Sequence, residues 1–193
     1  MSCEYLDVTL VLSGELSDEK DVAVVERLLG HAHLAATIHG EHIPHMAKDT
    51  IIMESASLHD ALTSSGQLAI HFSCVPDGDI YDFQQELQET GLSFTIINEG
   101  GNSTPSQFRT YMADEGLYYV AMRDGVGAPV VPYYKITKAM DGDDPIRMCD
   151  EIKSIMDMVT KACGKKRPLS LTATLDITEY MNTQANQSAE PDF

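Results

Sequence analysis

The chain has 193 residues, of which 43% are hydrophobic; it is large and apolar enough to bury a core, which argues against global disorder. No apolar run approaches the roughly 20 residues that a membrane-spanning helix needs, and the first residues lack the order of a signal peptide. The net charge of −17 argues against binding to nucleic acid or to an anionic membrane, and favours a basic partner.

The acidic residues are concentrated in the first part of the chain. Between Lys48 and Arg109 there are nine acidic residues and no basic one, and the first 108 residues hold 17 acidic residues against three basic ones. One interpretation is a surface that attracts basic partners over long range, and the other is a general means of solubility. The four cysteines form no CxxC pair, which predicts free thiols and a protein of the cytoplasm.

The first predicted unit is a strand, a helix and a strand. Residues 5–12 are apolar at nearly every position, which predicts a strand in the centre of a sheet. Ser17 is placed to cap a helix that ends at Gly30, and residues 33–39 are predicted to form the second strand. A short strand and a short helix are expected next, at 49–55 and 57–65.

The second predicted unit, residues 67–99, has the clearest pattern in the chain. Apolar residues alternate at both of its ends with the two-residue period of half-buried strands. The turn between them contains Asp77 and Asp79, either of which is placed to cap a helix that ends near Gly91. Residues 8–38 have nearly the same length and order of elements, which indicates a duplicated architecture.

The remaining elements are shorter. Strands at 108–112 and 117–122 are joined by a turn at 114–116, which predicts a hairpin. Prolines at 129 and 132 remove backbone donors, so residues 130–136 are predicted to form an edge strand. A capped helix over 144–161 and a last strand over 169–177 complete the pattern.

The elements together predict an α+β fold. Two ferredoxin-like βαβ units are expected to form a mainly antiparallel sheet with the helices on one face, closed by the C-terminal helix. The predicted organisation is a first βαβ unit, a second βαβ-hairpin unit, a C-terminal helix and strand on the same core, and a flexible tail: 1–66, 67–140, 141–179 and 180–193.

The histidines are the candidate metal ligands. Five of the seven lie at 31–45, where neutral imidazoles close together could bind zinc or nickel. His33 and His39 are expected on one face of a strand, and the proposed ligands are His39, His42 and His45. The spacing matches no established motif such as HExxH, so solvated or locally hydrogen-bonded histidines are the alternative. No pattern in the sequence indicates a cofactor.

The acidic helix faces are the candidate partner-binding residues. Asp82, Glu86 and Glu89 project from the second helix. Like charges at this spacing destabilise a helix, so a chain that keeps them on both comparable units is expected to use them. A solvated face is the alternative interpretation. The whole candidate set comprises the acidic residues of the two helices and of the turn before the second one: Asp18, Asp21, Glu26, Asp77, Asp79, Asp82, Glu86 and Glu89.

These features favour a non-enzymatic, acidic protein-interaction module, with a homodimer as a further expectation. Arrays of carboxylates can replace a phosphate backbone and occupy a basic nucleic-acid-binding surface. In size, acidity and lack of motifs the chain resembles accessory proteins of phages and plasmids, among them inhibitors of host defence nucleases, although no motif carries that resemblance. The alternatives are a small-ligand or metal sensor that uses residues 31–45, and an enzyme with dispersed catalytic residues.

Overall fold

The computed structural model describes residues 5–35, 50–51, 58, 67–76, 80–101, 105–142, 144–164 and 171–175. Within these residues the fold is α+β, an open and mainly antiparallel sheet with four helices. The strands are β1 (Tyr5–Leu16), β2 (Thr50–Ile51), β3 (Gln67–Pro76), β4 (Ser93–Asn98), β5 (Gln107–Met112), β6 (Leu117–Arg123), β7 (Pro129–Val130) and β8 (Leu171–Ala173). The helices are α1 (Glu19–Ala35), α2 (Tyr81–Gln88), α3 (Tyr133–Ala139) and α4 (Pro145–Ala162). None of these helices is long and apolar enough to cross a membrane.

Strand β1 lies at the centre of the sheet, as its apolar run predicts. The strand order is β2-β3-β1-β4-β5-β6-β7, and β8 pairs with the end of β1. Both neighbours of β1 run antiparallel to it, so β3 and β4 are parallel to each other, with β1 between them and α2 as their connection. Val8, Leu10, Val11 and Leu12 are all fully buried because each face of β1 is covered.

The structure does not confirm two ferredoxin-like βαβ units. That arrangement requires β2 to run antiparallel to β3, whereas the two residues of β2 pair with β3 in parallel. Residues 36–49 lie outside the described part of the chain, as does the predicted tail at 180–193.

Helices α1 and α2 share one face of the sheet, as predicted for the helices of the two units, whereas the C-terminal helix α4 packs on the other face. Leu12 and Phe94 pack in one core with α1 and α2. Thr95 lies on the other face of β4, and its hydroxyl is 2.8 Å from that of Thr110 on β5. The Thr110 hydroxyl donates to the carbonyl of Ala162, the last residue of α4, so α4 packs on this second face. Both faces of the central strands are apolar, so each face has to be buried against another element of the fold.

Two predicted elements have different bounds in the structure. Helix α1 does not end at Gly30 but continues to Ala35, so the predicted strand at 33–39 is wrong for 33–35. A single glycine costs a helix about 1 kcal/mol, which neighbouring helical residues can offset. The predicted edge strand at 130–136 is limited to β7, because Pro132 is the N-cap of α3.

Three locally specified elements are confirmed. Asp144 caps α4 by accepting hydrogen bonds from the amides of Ile146 and Arg147, as predicted from its position before Pro145. Strands β5 and β6 form the predicted hairpin, and Gly116 in its turn has a φ of +65°, a conformation that glycine adopts without strain. The last predicted strand is present as β8.

Candidate protein-interaction surface

The acidic residues of α2 are partly paired with cations of α1. The ammonium of Lys20 donates to Glu89 Oε2 at 3.0 Å, and Arg27 forms a close ion pair with Glu86. The hydrogen bond to Glu89, followed by the charge of Glu89, raises the pKa of Lys20. Asp82 is exposed and has no salt bridge within the described residues. The predicted acidic face of α2 therefore presents one unpaired carboxylate rather than three.

The acidic residues of α1 do not form one exposed face. Asp18 is exposed and accepts a hydrogen bond from the Asp21 amide at 2.9 Å, which caps the helix. Asp21 is only 4% exposed, and its carboxylate accepts from the amide and the hydroxyl of Ser17. Glu26 is half-buried, and its Oε1 has no hydrogen-bond partner among the described residues. Asp21 therefore takes part in capping the start of α1, and its carboxylate is buried in that role.

The remaining candidates predicted from the sequence lie outside the described residues. Asp77 and Asp79 lie outside the described residues, and the N-cap position of α2 is Ile80, whose side chain makes no capping bond. The proposed metal ligands His39, His42 and His45 also lie outside them. His33 belongs to α1 and not to a strand. No three His, Cys, Asp or Glu side chains of the described ranges are grouped to hold a metal ion.

Strands β5 and β6 present a partly exposed surface beside α2. We define the open sheet face as Arg109, Tyr111 and Tyr118, which are all partly exposed. Tyr111 pairs with Tyr118 across the hairpin, and their ring centroids are 5.1 Å apart. The ring of Tyr111 also stacks on the buried Phe94 at 5.2 Å, which connects this surface to the core.

Helix α2 holds the open sheet face in place through two amide side chains. Arg109 Nη1 donates to Gln84 Oε1 at 3.2 Å, and its guanidinium lies 5.6 Å from the ring centroid of Tyr118. Gln88 Nε2 donates to the Tyr118 hydroxyl at 2.5 Å. Burial raises the pKa of Tyr118, against the opposing effect of the Gln88 hydrogen bond. The phenol therefore stays neutral at physiological pH and can hydrogen-bond to a partner.

The residue types of the open sheet face are those that dominate binding energy at protein interfaces. Tyrosine and arginine are enriched at the energetic centres of interfaces because they offer large contact areas with polar groups at the end. These residues were not among those predicted from the sequence. The alternation of Arg109 and Tyr111 in the predicted strand was a signal for them, but the hairpin register was needed to add Tyr118.

A second surface feature is an apolar groove of about 360 Å³ at the outer end of the sheet. It lies between β6, β7, α3 and α4, and the only charged residue of its lining is Lys135. The residues that line it include Val120 of β6, Val130 of β7, Tyr134 and Lys135 of α3, and Met158 and Val159 of α4.

Comparison with known proteins places the chain in no family. No family model matches it, and neither a curated protein nor a solved structure is significantly similar to it. A function for this chain is therefore inferred from its own surfaces.

Proposed function

We propose that this chain is a non-enzymatic, acidic protein-interaction module that binds a basic protein surface in the cytoplasm. The binding site is the open sheet face together with the exposed side of α2, where Tyr81 and Asp82 lie. The observation that supports this most strongly is the cluster of Arg109, Tyr111 and Tyr118, partly exposed and held by buried or hydrogen-bonded neighbours.

The geometry favours a preorganised site. Gln84 is only 5% exposed, so the side chain that positions Arg109 has little freedom of its own. Tyr118 is held by Gln88 on one side and by the Tyr111 ring on the other. Side chains that are already ordered lose less conformational entropy when a partner binds, which leaves more of the contact energy for affinity.

The charge selects the class of partner. The net charge of −17 attracts a basic surface over long range, and Asp82 offers an unpaired carboxylate beside the aromatic cluster. A basic nucleic-acid-binding surface fits this description, because carboxylates can occupy the positions of phosphates while the tyrosines make apolar contacts. The module would then act as an inhibitor that competes with nucleic acid, as accessory proteins of phages and plasmids do against defence nucleases.

Affinity capture from the native host at low and at high salt tests the proposal. The partner recovered at low salt is purified, and its dissociation constant is measured with the wild-type chain, Asp82→Lys and Tyr118→Ala. We expect each substitution to weaken binding by roughly tenfold or more, the size of effect that a central interface residue has. Increasing salt should weaken wild-type binding further, because long-range attraction between exposed charges is screened.

Asp150→Lys is the matched control, because it makes the same change in net charge on α4, away from the proposed site. The proposal requires Asp150→Lys to bind almost as well as the wild type at moderate salt. Equal weakening by Asp82→Lys and Asp150→Lys would show that net charge alone controls binding. An affinity that does not change with salt would contradict the electrostatic part of the proposal.

A further inference from the structure

Exposed apolar side chains are concentrated at the outer end of the sheet. Among the described residues, eleven large hydrophobic side chains are exposed, and nine of these lie between residues 117 and 156. Tyr133, Ile146 and Met156 are 82%, 76% and 55% exposed. We define the apolar patch as Leu117, Tyr133, Tyr134, Ile146 and Met156, which come from β6, α3 and α4. Apolar side chains grouped in this way mark interaction surfaces.

The apolar side of helix α4 is only partly buried against the rest of the protein. It has 18 residues and a clear apolar side, yet Ala162 at its end is its only fully buried residue. Ile152, Ile155, Met158 and Val159 are half-buried, and the last two line the apolar groove. A helix with this pattern gains stability if a second surface covers the rest of its apolar side.

Strand β6 leaves one edge open. It pairs with β5 from Leu117 to Met122, but with β7 only at Met122 and Arg123. Residues 117–121 therefore have no strand partner on their outer side within the described ranges. An open edge pairs readily with another strand, and two identical strands can pair in antiparallel orientation about a twofold axis.

The distribution of charge identifies the partner that fits this end of the molecule. Residues 105–164 contain seven basic and nine acidic residues, a net charge of −2, whereas the rest of the chain carries −15. This segment therefore offers a basic partner much less long-range attraction than the rest of the chain does. Two copies that meet through their nearly neutral ends keep their strongly acidic parts apart, so their mutual repulsion is smallest in this arrangement.

We propose that the apolar patch and the open edge of β6 form a symmetric interface with a second copy of this chain. In the dimer, residues 117–121 of the two copies pair and extend the sheet, and the apolar sides of α3 and α4 cover each other. The two open sheet faces then belong to one continuous sheet. This inference does not depend on the proposed partner. Tyr118 is the one residue named in both surfaces, and the dimer would use its backbone whereas the open sheet face uses its side chain.

Sedimentation equilibrium of the purified full-length chain over a range of concentrations tests the dimer. We expect the wild type to be a dimer and the combined variant Tyr133→Ser, Ile146→Gln, Met156→Gln to dissociate at least about tenfold more readily. Because these three side chains are exposed, the variant should keep the circular dichroism spectrum of the wild type. Leu117→Lys is an independent second variant, since a charge at an open strand edge opposes pairing.

The matched control is Tyr5→Ser combined with Tyr81→Ser, which removes two exposed aromatic side chains that lie outside the patch in the described part of the chain and should leave the dimer intact. Hydrogen exchange provides a second measurement: the amides of residues 117–121 that point away from β5 should become more protected as protein concentration rises. A wild type that sediments as a monomer at every concentration would overturn the proposal. So would a dimer that both Leu117→Lys and the combined patch variant leave unchanged.

Discussion

The ammonium of Lys161 lies 2.7 Å from Glu115 Oε1, which joins the last turn of α4 to the turn of the β5–β6 hairpin. The same ammonium lies 3.1 Å from the Tyr119 hydroxyl and 4.7 Å from the centroid of its ring. Tyr119 in turn donates a close hydrogen bond to Glu115. Residues 46 positions apart are thus connected, and α4 is held against the outer part of the sheet.

Removing the charge of Glu115 should change the pH dependence of stability. The hydrogen bond from Lys161, followed by that from Tyr119, lowers the pKa of Glu115. A lowered carboxyl pKa stabilises the fold fully above the ordinary value of 4.5, and the contribution disappears as pH falls through the folded-state value. We expect the difference in melting temperature between the wild type and Glu115→Gln to be largest near neutral pH and to close in acid.

The same measurement in a Lys161→Met background is the control for Glu115. Without the ammonium, Glu115→Gln should lose most of its pH-dependent effect. A difference between wild type and Glu115→Gln that stays constant from neutral to acidic pH would contradict the role of this ion pair.

Thr110→Val should destabilise the protein more than Thr95→Val does. The Thr110 hydroxyl donates to the Ala162 carbonyl at 2.6 Å, so the Thr95 hydroxyl is the donor of the bond between the two threonines. Valine at 110 has no hydroxyl, so the buried Ala162 carbonyl and the buried Thr95 hydroxyl lose their hydrogen-bond partner. This loss should lower the free energy of unfolding by about 1–3 kcal/mol. Valine at 95 leaves the bond to α4 in place. Urea unfolding of both variants measures the difference, and equal losses would show that Thr110 does not connect α4 to the sheet.

Gly127→Ala should destabilise the turn that follows β6. Gly127 has a φ of +85°, and an added Cβ would lie 2.8 Å from Nη2 of Arg123. The side chain of Arg123 is only 6% exposed and lies over the Phe108 ring, so it cannot move away freely. The left-handed conformation alone costs a residue with a side chain about 1–2 kcal/mol. Gly125→Ala is the control, because its Cβ would meet no atom within 4 Å, and only Gly127→Ala should lower the melting temperature clearly.

Removing the cations that pair with α2 should strengthen binding to a basic partner. Lys20→Gln combined with Arg27→Gln leaves Glu89 and Glu86 unpaired, next to Asp82. We expect a lower dissociation constant and a steeper dependence on salt. Arg147→Gln combined with Lys153→Gln is the control, because it makes the same change in net charge on α4. If both double variants bind equally well, the carboxylates of α2 have no special part in recognition.

Much of the fold could be predicted because its determinants are local. The apolar run of β1 predicted a central strand, and Asp144 with Pro145 predicted the start of α4 within one residue. The hairpin turn before β6 was predicted from its own residues as well. The length of α1 was not predicted correctly. A glycine ends a helix only where the surrounding contacts do not compensate for its low helix propensity.

The candidate site was predictable only in part. The sequence identified α2 as an acidic helix, and Asp82 is exposed as expected. It gave no indication that Glu89 pairs with Lys20, which is 69 positions away, or that Asp21 is buried as part of a helix cap. The open sheet face was missed for the same reason, since Arg109 and Tyr118 meet only in the register of the hairpin.

The amino-acid sequence by itself determined the fold class, the central position of β1 and the strong acidity of the first part of the chain. Periodicity, capping and charge depend on residues a few positions apart, so they can be read without coordinates. Only the tertiary structure decided that α4 covers the second face of the sheet, and that two of the three carboxylates of α2 are paired. Burial and ion pairing depend on distances between residues far apart in the chain, and these distances exist only once the strands have taken their order.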